Sequence, residues 1–211
     1  MQIQREFRLS PAAARTLIAE HGWASVVTCG DDGPRGTYAF FLLEEDTGDD
    51  IVVAGHFARA DPQAADIVAR RPLMLMFNGA HGYISASWYS PEYSLEPSTW
   101  NHISVHLHGT PEPLEGEAAF DVMRRTLAHL EWARVEPWFL DSERLQYARR
   151  IAPGTMPFRV RAERIEAKAK LSQNKPRAVI ERVVENLERE GPHQNLALAA
   201  AMREISLGAG D

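Results

Sequence analysis

The sequence contains a single cysteine, Cys29, in 211 residues, which excludes an internal disulfide. We expect Cys29 to be a small buried residue near a strand end rather than a reactive thiol. Long apolar runs are missing too, since none approaches the roughly 20 residues that cross a bilayer. The first ten residues, MQIQREFRLS, lack the apolar core of a secretory signal. These absences predict a soluble, cytoplasmic protein with no membrane partner.

Positive charge is scarce relative to negative charge, with 23 Lys and Arg against 29 Asp and Glu and a net charge of −6. This balance argues against the broad basic face of a general nucleic-acid-binding protein, although it leaves room for a local basic patch. The motifs GxGxxG, GxxxxGK[ST], HExxH, GxSxG and paired CxxC do not occur. The common dinucleotide, phosphate-loop, zinc and serine-nucleophile sites therefore have no support.

Alternating and helix-periodic segments predict an α+β protein that is mainly β, in one domain over residues 1–211. Ser10, Pro11 and Gly22 mark the two ends of an N-terminal helix. Asp32-Gly33 marks a hairpin, and an acidic turn follows the second strand. Strands are predicted at residues 23–30, 37–43, 50–57, 72–79, 81–89, 99–114 and 156–171. A short helix is predicted at residues 60–71, a helical insertion at about 117–150 and C-terminal helices at about 176–206. Many short antiparallel strands with helices at both ends are typical of a small barrel.

The stretch from Gly82 to Gly109 concentrates aromatic and polar side chains, among them Tyr83, Trp88, Tyr89, Trp100, Asn101 and three histidines. In its second half, one strand face carries Ile103, Val105 and Leu107, and the other carries Trp100, His102, Ser104, His106 and His108. Two interpretations stand. The stretch is an aromatic strand pair at a sheet edge or dimer contact, or it forms the wall of a site for a flat ligand with polar edges.

Two further segments carry candidate ligand-binding side chains. In GHFARADPQ, Arg59 lies between a strand and a helix, where it either binds a phosphate or pairs with an acidic neighbour. In AKAKLSQNKP, lysines surround Ser172 and Gln173, whose groups either bind the polar edge of a ring or belong to a charged strand end and a helix cap. Together with the aromatic stretch, these segments supply what flavin mononucleotide (FMN) needs: a phosphate anchor, aromatic walls and amides.

A metal or haem is a separate hypothesis for His102, His106 and His108, because alternate residues of a strand share a face and imidazole is a common ligand. The alternative is that these residues line the wetter face of the strand. No cysteine or carboxylate of fitting spacing lies beside them, so we assign no metal-binding residue.

At these segments the sequence resembles the PaiB family of FMN-binding negative transcriptional regulators. GHFARADPQ, HGYISASWY, STWNHISVHLHG and KAKLSQNKP occur in the family's order and extend the resemblance over nearly the whole chain. Ala86 stands where the family usually has Pro, and His102 and His108 stand where aromatics are expected. RGTYAFFLL departs most from the family pattern, which leaves Thr37 and Tyr38 as candidates for the first wall of the site.

The resemblance implies an antiparallel split β-barrel of the FMN-binding type, with N- and C-terminal helices on its flanks. It further implies a homodimer with flavin sites at the subunit interface. The implied cofactor-binding residues are Thr37, Tyr38, His56, Arg59, Ser87, Trp88, Trp100, Asn101, Lys170, Ser172 and Gln173. No catalytic residue is assigned.

Three functions are compatible with this resemblance. The first is a flavoprotein that regulates transcription negatively, in which FMN alters contacts to a DNA or protein partner. The second is a flavin-dependent oxidoreductase of the pyridoxamine-phosphate-oxidase or flavin-reductase type, in which His106 or Tyr83 donates a proton or holds substrate. The third is a haem-binding or cofactor-free interaction module.

Overall fold

The structure is a computed structural model that describes residues 1–44, 50–89, 91–93 and 95–208. Most of the predicted acidic turn after the second strand lies outside these residues. The strands are β1 Trp23–Gly30, β2 Gly33–Leu43, β3 Val52–Ala58, β4 Leu73–Ile84, β5 Thr99–Gly109, β6 Pro111–Pro113, β7 Thr155–Arg161 and β8 Arg164–Lys170. The α-helices are α1 Pro11–Glu20, α2 Ala64–Val68, α3 Gly116–Glu131, α4 Ser142–Ile151, α5 Arg177–Glu188 and α6 Leu196–Met202. Short 3₁₀ turns precede α1, follow β4 and precede β7, at Arg5–Phe7, Ala86–Trp88, Pro91–Tyr93 and Ala152–Gly154.

The strands form one hydrogen-bonded sheet in the order β6-β7-β3-β2-β1-β4-β5-β8. The pairs β1–β2, β1–β4, β2–β3, β3–β7 and β6–β7 are antiparallel. The β1–β2 hairpin closes at Gly30 and Gly33, and Gly33 has a φ of +119°, a conformation that favours glycine. The predicted hairpin and the mainly-β architecture are confirmed.

The chain divides into two compact units. The first unit comprises Met1–Ala14, Asn78–Val105 and Glu166–Asp211, and the second comprises Arg15–Phe77 and His106–Ile165. In the first unit, α5 buries Val179, Ile180, Val183, Val184 and Leu187, which recur at helical spacing on one face. In the second unit, Phe158 packs edge-on against Phe41 with 5.5 Å between ring centroids, and Phe57 lies 5.3 Å from Phe158.

Several local expectations differ from the structure. Residues 99–114, predicted as one strand, form the two strands β5 and β6. Residues 72–79 and 81–89, predicted as two strands, form the single strand β4 followed by a 3₁₀ turn, and β4 lies between β1 and β5 in the sheet. Residues 156–171 form two strands, β7 and β8, rather than one. Cys29 is exposed rather than buried, because it lies on the outward-facing side of β1 next to the hairpin. Among the described residues, no helix is long and apolar enough to cross a membrane.

Candidate functional site

An aromatic cluster occupies the first unit. The ring of Trp100 stacks on His81 with 6.0 Å between centroids and lies 6.5 Å from Tyr83. His193 lies 5.3 Å from Tyr83 and 6.2 Å from Trp88, so that it links the two tryptophans through a continuous series of rings. Trp100 is 52% exposed. The cluster therefore presents an aromatic face on which a planar ring could stack.

Backbone structure and hydrogen bonds hold this cluster in place. His81 and Tyr83 share one face of β4, since residues two apart point the same way. Trp100 Nε1 donates to His81 Nδ1 at 3.3 Å. The carbonyl of His81 accepts from Asn195 Nδ2 at 2.9 Å, which secures the segment that carries His193. The carbonyl of Trp88 accepts from Arg182 Nε at 3.2 Å, which ties the 3₁₀ turn to α5.

Lys170 brings a cation to the start of β5. Its Nζ donates to Thr99 Oγ1 and, at 3.4 Å, to the carbonyl of Trp100. Burial, with a smaller contribution from Lys168, lowers the pKa of Lys170 below its usual value. A positive charge at this position suits an electron-rich carbonyl or ring nitrogen of a ligand that stacks on Trp100.

The predicted amide and hydroxyl residues bond mainly within the protein. Asn101 is fully buried, and its Nδ2 donates to Ser172 Oγ at 3.0 Å. Gln173 Oε1 accepts from the amide of Leu171 at 2.7 Å, while its Nε2 donates to the carbonyl of Ala169 at 2.6 Å. Ser87 is exposed and lies 2.8 Å from Ser85, hydroxyl to hydroxyl. These contacts shape the strand ends around Trp100 and Lys170.

In the second unit, His56 lines a cavity of about 670 Å³. The cavity walls come from α3, α4 and the segment between them, and include Phe120, Met123, Leu127, Trp138, Tyr147 and Ile151. His56 Nδ1 is buried and has no hydrogen-bond partner among the described residues. Burial lowers the pKa of His56 below 6.5, so its ring is neutral at pH 7. The position therefore offers one unsatisfied polar atom in largely apolar surroundings.

Arg59 lines a neighbouring cavity of about 360 Å³ in the same unit. Phe120, Met123, Ala152 and Thr155 line both cavities. Arg59 Nε donates to the carbonyl of Pro153 at 3.0 Å, and its amide donates to that of Gly154 at 2.8 Å. Within the described ranges, no carboxylate lies within ion-pair distance of its guanidinium, so the group keeps donors for an anion.

Thr37 and Tyr38 lie on β2 of the second unit. Thr37 pairs with Val26 across the β1–β2 hairpin. The ring of Tyr38 stacks on Trp23, with 6.1 Å between centroids and an interplanar angle of 5°. Both rings are largely exposed.

Within each unit, the structure groups some predicted residues and separates others. In the first unit, Trp88 joins Trp100 through His193, and Lys170 bonds the carbonyl of Trp100. In the second unit, His56 and Arg59 face adjacent cavities, whereas Tyr38 stacks elsewhere on Trp23. Of the histidines that raised a metal or haem hypothesis, His102 bonds Ser104 at 3.1 Å and His108 bonds Arg164 at 3.0 Å.

The sequence prediction missed several residues of these sites. His81 carried a usable signal, because it alternates with Tyr83 along β4. His193 carried none, because it reaches the cluster from a turn 110 residues beyond Tyr83. The cavity between α3 and α4 was missed because its apolar residues look like ordinary packing faces of amphipathic helices.

Comparison with known sequences identifies the family. Residues 1–164 match the sequence profile of the family described as "Putative FMN-binding domain". The chain belongs to this FMN-binding family. It is also 30% identical over 199 residues to "Protease synthase and sporulation protein PAI 2" of Bacillus subtilis (strain 168), with 90% of each chain covered. The resemblance to the PaiB family and the assignment of FMN as cofactor are thereby confirmed.

Solved structures share the fold of this FMN-binding family member. The conserved hypothetical protein Rv2991 from Mycobacterium tuberculosis superposes with a TM-score of 0.58 at 13% identity, covering 83% of this chain and 94% of that one. The flavocytochrome Anf3 from Azotobacter vinelandii gives a TM-score of 0.55 at 19% identity, covering 80% and 72%. These likenesses concern the fold alone, and the predicted antiparallel split-barrel class is confirmed.

Each unit, taken by itself, carries groups that suit one part of FMN, which combines a planar tricyclic ring with a phosphate. The first unit offers the exposed face of Trp100, the neighbouring Trp88 and the cation of Lys170. The second unit offers Arg59, a guanidinium without a carboxylate partner in the part of the chain that the structure describes. Stacking surfaces suit the isoalloxazine, and forked charged donors suit the phosphate.

Proposed function

We propose that this FMN-binding protein is a cytoplasmic, homodimeric negative regulator of transcription of the PaiB type. The observation that carries the proposal is the 30% identity to PAI 2 of Bacillus subtilis, which extends over 90% of both chains. That relative's name links it to protease synthesis and sporulation. FMN, when bound, supplies a centre that accepts and donates electrons.

In the first unit, Trp100 and Trp88 would bind the isoalloxazine by stacking. Lys170 would hold the electron-rich edge of the ring, and would favour the reduced, anionic form of that ring through its charge. Arg59, in the second unit, would bind phosphate with the guanidinium nitrogens that Pro153 does not occupy. Asn101, Ser172 and Gln173 would act indirectly, because they fix the strand ends that carry Trp100 and Lys170.

The surface charge of α5 bears on how a regulator of this kind meets its partner. Arg177 pairs with Glu181 at 2.9 Å, and Arg203, which follows α6, pairs with Glu188 at 2.8 Å. These pairs and the net charge of −6 argue against a broad basic face for nonspecific DNA binding. The regulator would therefore use a narrow DNA contact or a protein partner.

A titration of the purified protein with FMN, combined with its mass by light scattering, tests the cofactor and dimer parts. We expect a dimer mass and FMN affinity that falls roughly 10- to 100-fold in Arg59→Ala, the cost of a charged hydrogen bond. Arg134→Ala is the matched control, because Arg134 is exposed and pairs with Glu131 at the end of α3. Equal FMN affinity in wild type and Arg59→Ala would show that Arg59 does not contact FMN. A monomer mass for the FMN-bound protein would show that it is not a dimer.

Transcript profiling tests the regulatory part. The chromosomal gene would be replaced by the Arg59→Ala and Arg134→Ala variants. The proposal expects a defined set of transcripts to rise in a deletion strain and in Arg59→Ala, but not in Arg134→Ala. In the contrary outcome, the transcripts stay unchanged while the FMN-loaded protein turns over NADH, NADPH or pyridoxamine phosphate. That outcome would favour the oxidoreductase over the regulator.

A further inference from the structure

We propose that the cavity beside His56 binds a small, uncharged aromatic molecule that carries one hydrogen-bonding group. The cavity volume of about 670 Å³ lies in the range of small-molecule sites. The proposal concerns a second ligand, and it requires that FMN binds outside this cavity. Such a ligand would be either an effector that the regulator senses or a substrate brought to the protein.

The cavity walls leave apolar surface in water. Tyr147 is 54% exposed and Ile151 is 53% exposed, although both line the cavity, and Trp138 is half exposed beside them. Phe120, Met123 and Leu127, at positions i, i+3 and i+7 of α3, form the facing wall. Side chains that are fully buried in most proteins are here arranged around open space, which a ring-shaped apolar ligand would fill.

The two guanidiniums that line the cavity are already paired within the protein. Arg144 lies 3.4 Å from Asp141 and its guanidinium lies 4.9 Å from the centre of the Trp138 ring. Arg124 pairs with Asp121 at 2.6 Å. Glu143, the other lining carboxylate, is exposed to water. A phosphate or other anionic ligand would have to break one of these pairs, and the remaining walls are mainly apolar, so we expect an uncharged molecule.

His56 supplies the polar contact. Its Nδ1 is buried without a partner in the described residues, which is costly unless a ligand satisfies it. A neutral imidazole nitrogen either accepts or donates a single hydrogen bond, according to its tautomer. The matching ligand group is a hydroxyl, which can do both.

The test uses three probes that share a bicyclic ring: 1-naphthol, naphthalene, which lacks the hydroxyl, and 1-naphthalenesulfonate, which is charged. Calorimetry on the full chain is expected to show that 1-naphthol binds about tenfold more tightly than naphthalene, the value of one hydrogen bond, and more tightly than the sulfonate. His56→Leu should abolish the preference for naphthol over naphthalene. His56→Asn should restore it, because the amide again offers a hydrogen-bonding atom.

Two tryptophan variants on α4 locate the site. Ala148 lines the cavity, whereas Gln146 is exposed and does not, so Ala148→Trp fills the space and Gln146→Trp places the same ring in water. We expect Ala148→Trp to lose 1-naphthol binding at least about tenfold, with FMN affinity and dimer mass unchanged, and Gln146→Trp to bind as wild type.

Three outcomes would overturn the proposal. Failure of 1-naphthol to bind wild type would show that the cavity holds no aromatic ligand of this kind. A parallel loss of FMN affinity in Ala148→Trp would make the cavity part of the flavin site. A change of dimer mass in Ala148→Trp alone would make it a subunit contact. If the wild-type protein binds 1-naphthol but not FMN, the result would count against the proposed cofactor role. It would not count against this site.

Discussion

Asn101 and Ser172 hydrogen-bond to each other in the interior of the first unit, with 3.0 Å between Asn101 Nδ2 and Ser172 Oγ. The Asn101 amide also contacts Met202 Sδ at 3.6 Å, and Asn101 is fully buried. Ser172 has a φ of +69°, a conformation that costs a non-glycine residue energy. The pair therefore holds the turn after β8 against β5, directly beside Lys170 and Trp100.

This arrangement predicts that Asn101→Ala destabilises the fold. The substitution leaves the Ser172 hydroxyl buried without its partner, and we expect a loss of about 2–3 kcal/mol in the free energy of unfolding, measured with urea. Ser87→Ala, which removes an exposed hydroxyl, should change stability by less than about 0.5 kcal/mol. Wild-type stability in Asn101→Ala, combined with weaker FMN binding, would show instead that Asn101 contacts the ligand directly.

Trp100 should contribute directly to flavin affinity. If the isoalloxazine stacks on it, Trp100→Ala lowers FMN affinity roughly 5- to 100-fold, the usual value of one stacking aromatic, while Trp100→Phe retains most of it. Stacked flavin loses fluorescence, so the emission of bound FMN should also rise in Trp100→Ala. Trp132→Ala, which removes a tryptophan that is 76% exposed at the end of α3, provides the control. Equal effects of the two variants would mean that no specific stacking occurs at Trp100.

The elements that local sequence marks clearly were predicted well. Ser10 caps α1 as expected, since its Oγ accepts from the amide of Ala13 at 3.1 Å. The five apolar residues of α5 follow the helical period and are buried together. Gly33 occupies the left-handed position that closes the first hairpin. In each case, residues close in sequence determine the structure, and so the pattern is visible in the sequence itself.

Features that depend on residues distant in the sequence could not be predicted from local sequence patterns. β4 runs from Leu73 to Ile84 between β1 and β5, and the local sequence does not show which strands will lie beside it. The backbone groups of Leu171 and Ala169 bond the two ends of the Gln173 amide, and the sequence alone does not show these contacts. The sequence shows which residues carry hydrogen-bond donors and acceptors, but not which of these groups bond within the protein.

Asp66 organises a buried polar network in the second unit that the sequence did not reveal. Thr28 Oγ1 donates to its carboxylate at 2.7 Å, and Arg35 and Arg71 lie 3.1 Å and 3.5 Å from it. We expect Asp66→Ala to cost about 3 kcal/mol in the free energy of unfolding, because two guanidiniums and a buried hydroxyl lose their partner.

The matched control is Asp32→Ala, which removes the exposed partner of Arg35 and should cost less than about 1 kcal/mol. Urea unfolding of both variants checks the prediction. A small loss in Asp66→Ala, similar to that in Asp32→Ala, would show that Arg35 and Arg71 find adequate partners in Asp32 and Asp31.

His56 should make stability depend on pH in a defined direction. Burial lowers the pKa of His56 in the folded protein, although Asp141 and Glu143 line the same cavity and their charges would favour protonation. The unfolded chain binds a proton as the pH falls through the usual value of 6.5, while the folded chain does not. The contribution of the neutral ring to the free energy of unfolding is therefore fully present above pH 6.5. It is lost as the pH falls from 6.5 towards the lower pKa of the folded state.

Thermal unfolding at about pH 7.5 and about pH 5.5 measures this effect. The drop in Tm should be larger for wild type than for His56→Asn, which cannot take up the proton. His129→Gln, at an exposed position on α3, should behave as wild type does. A wild-type Tm that falls no more than that of His56→Asn would mean that the folded ring takes up a proton as readily as the unfolded chain does. Burial would then not control the charge of this ring, and at acidic pH the imidazolium could only donate, so the ligand group would have to accept, as a hydroxyl oxygen can.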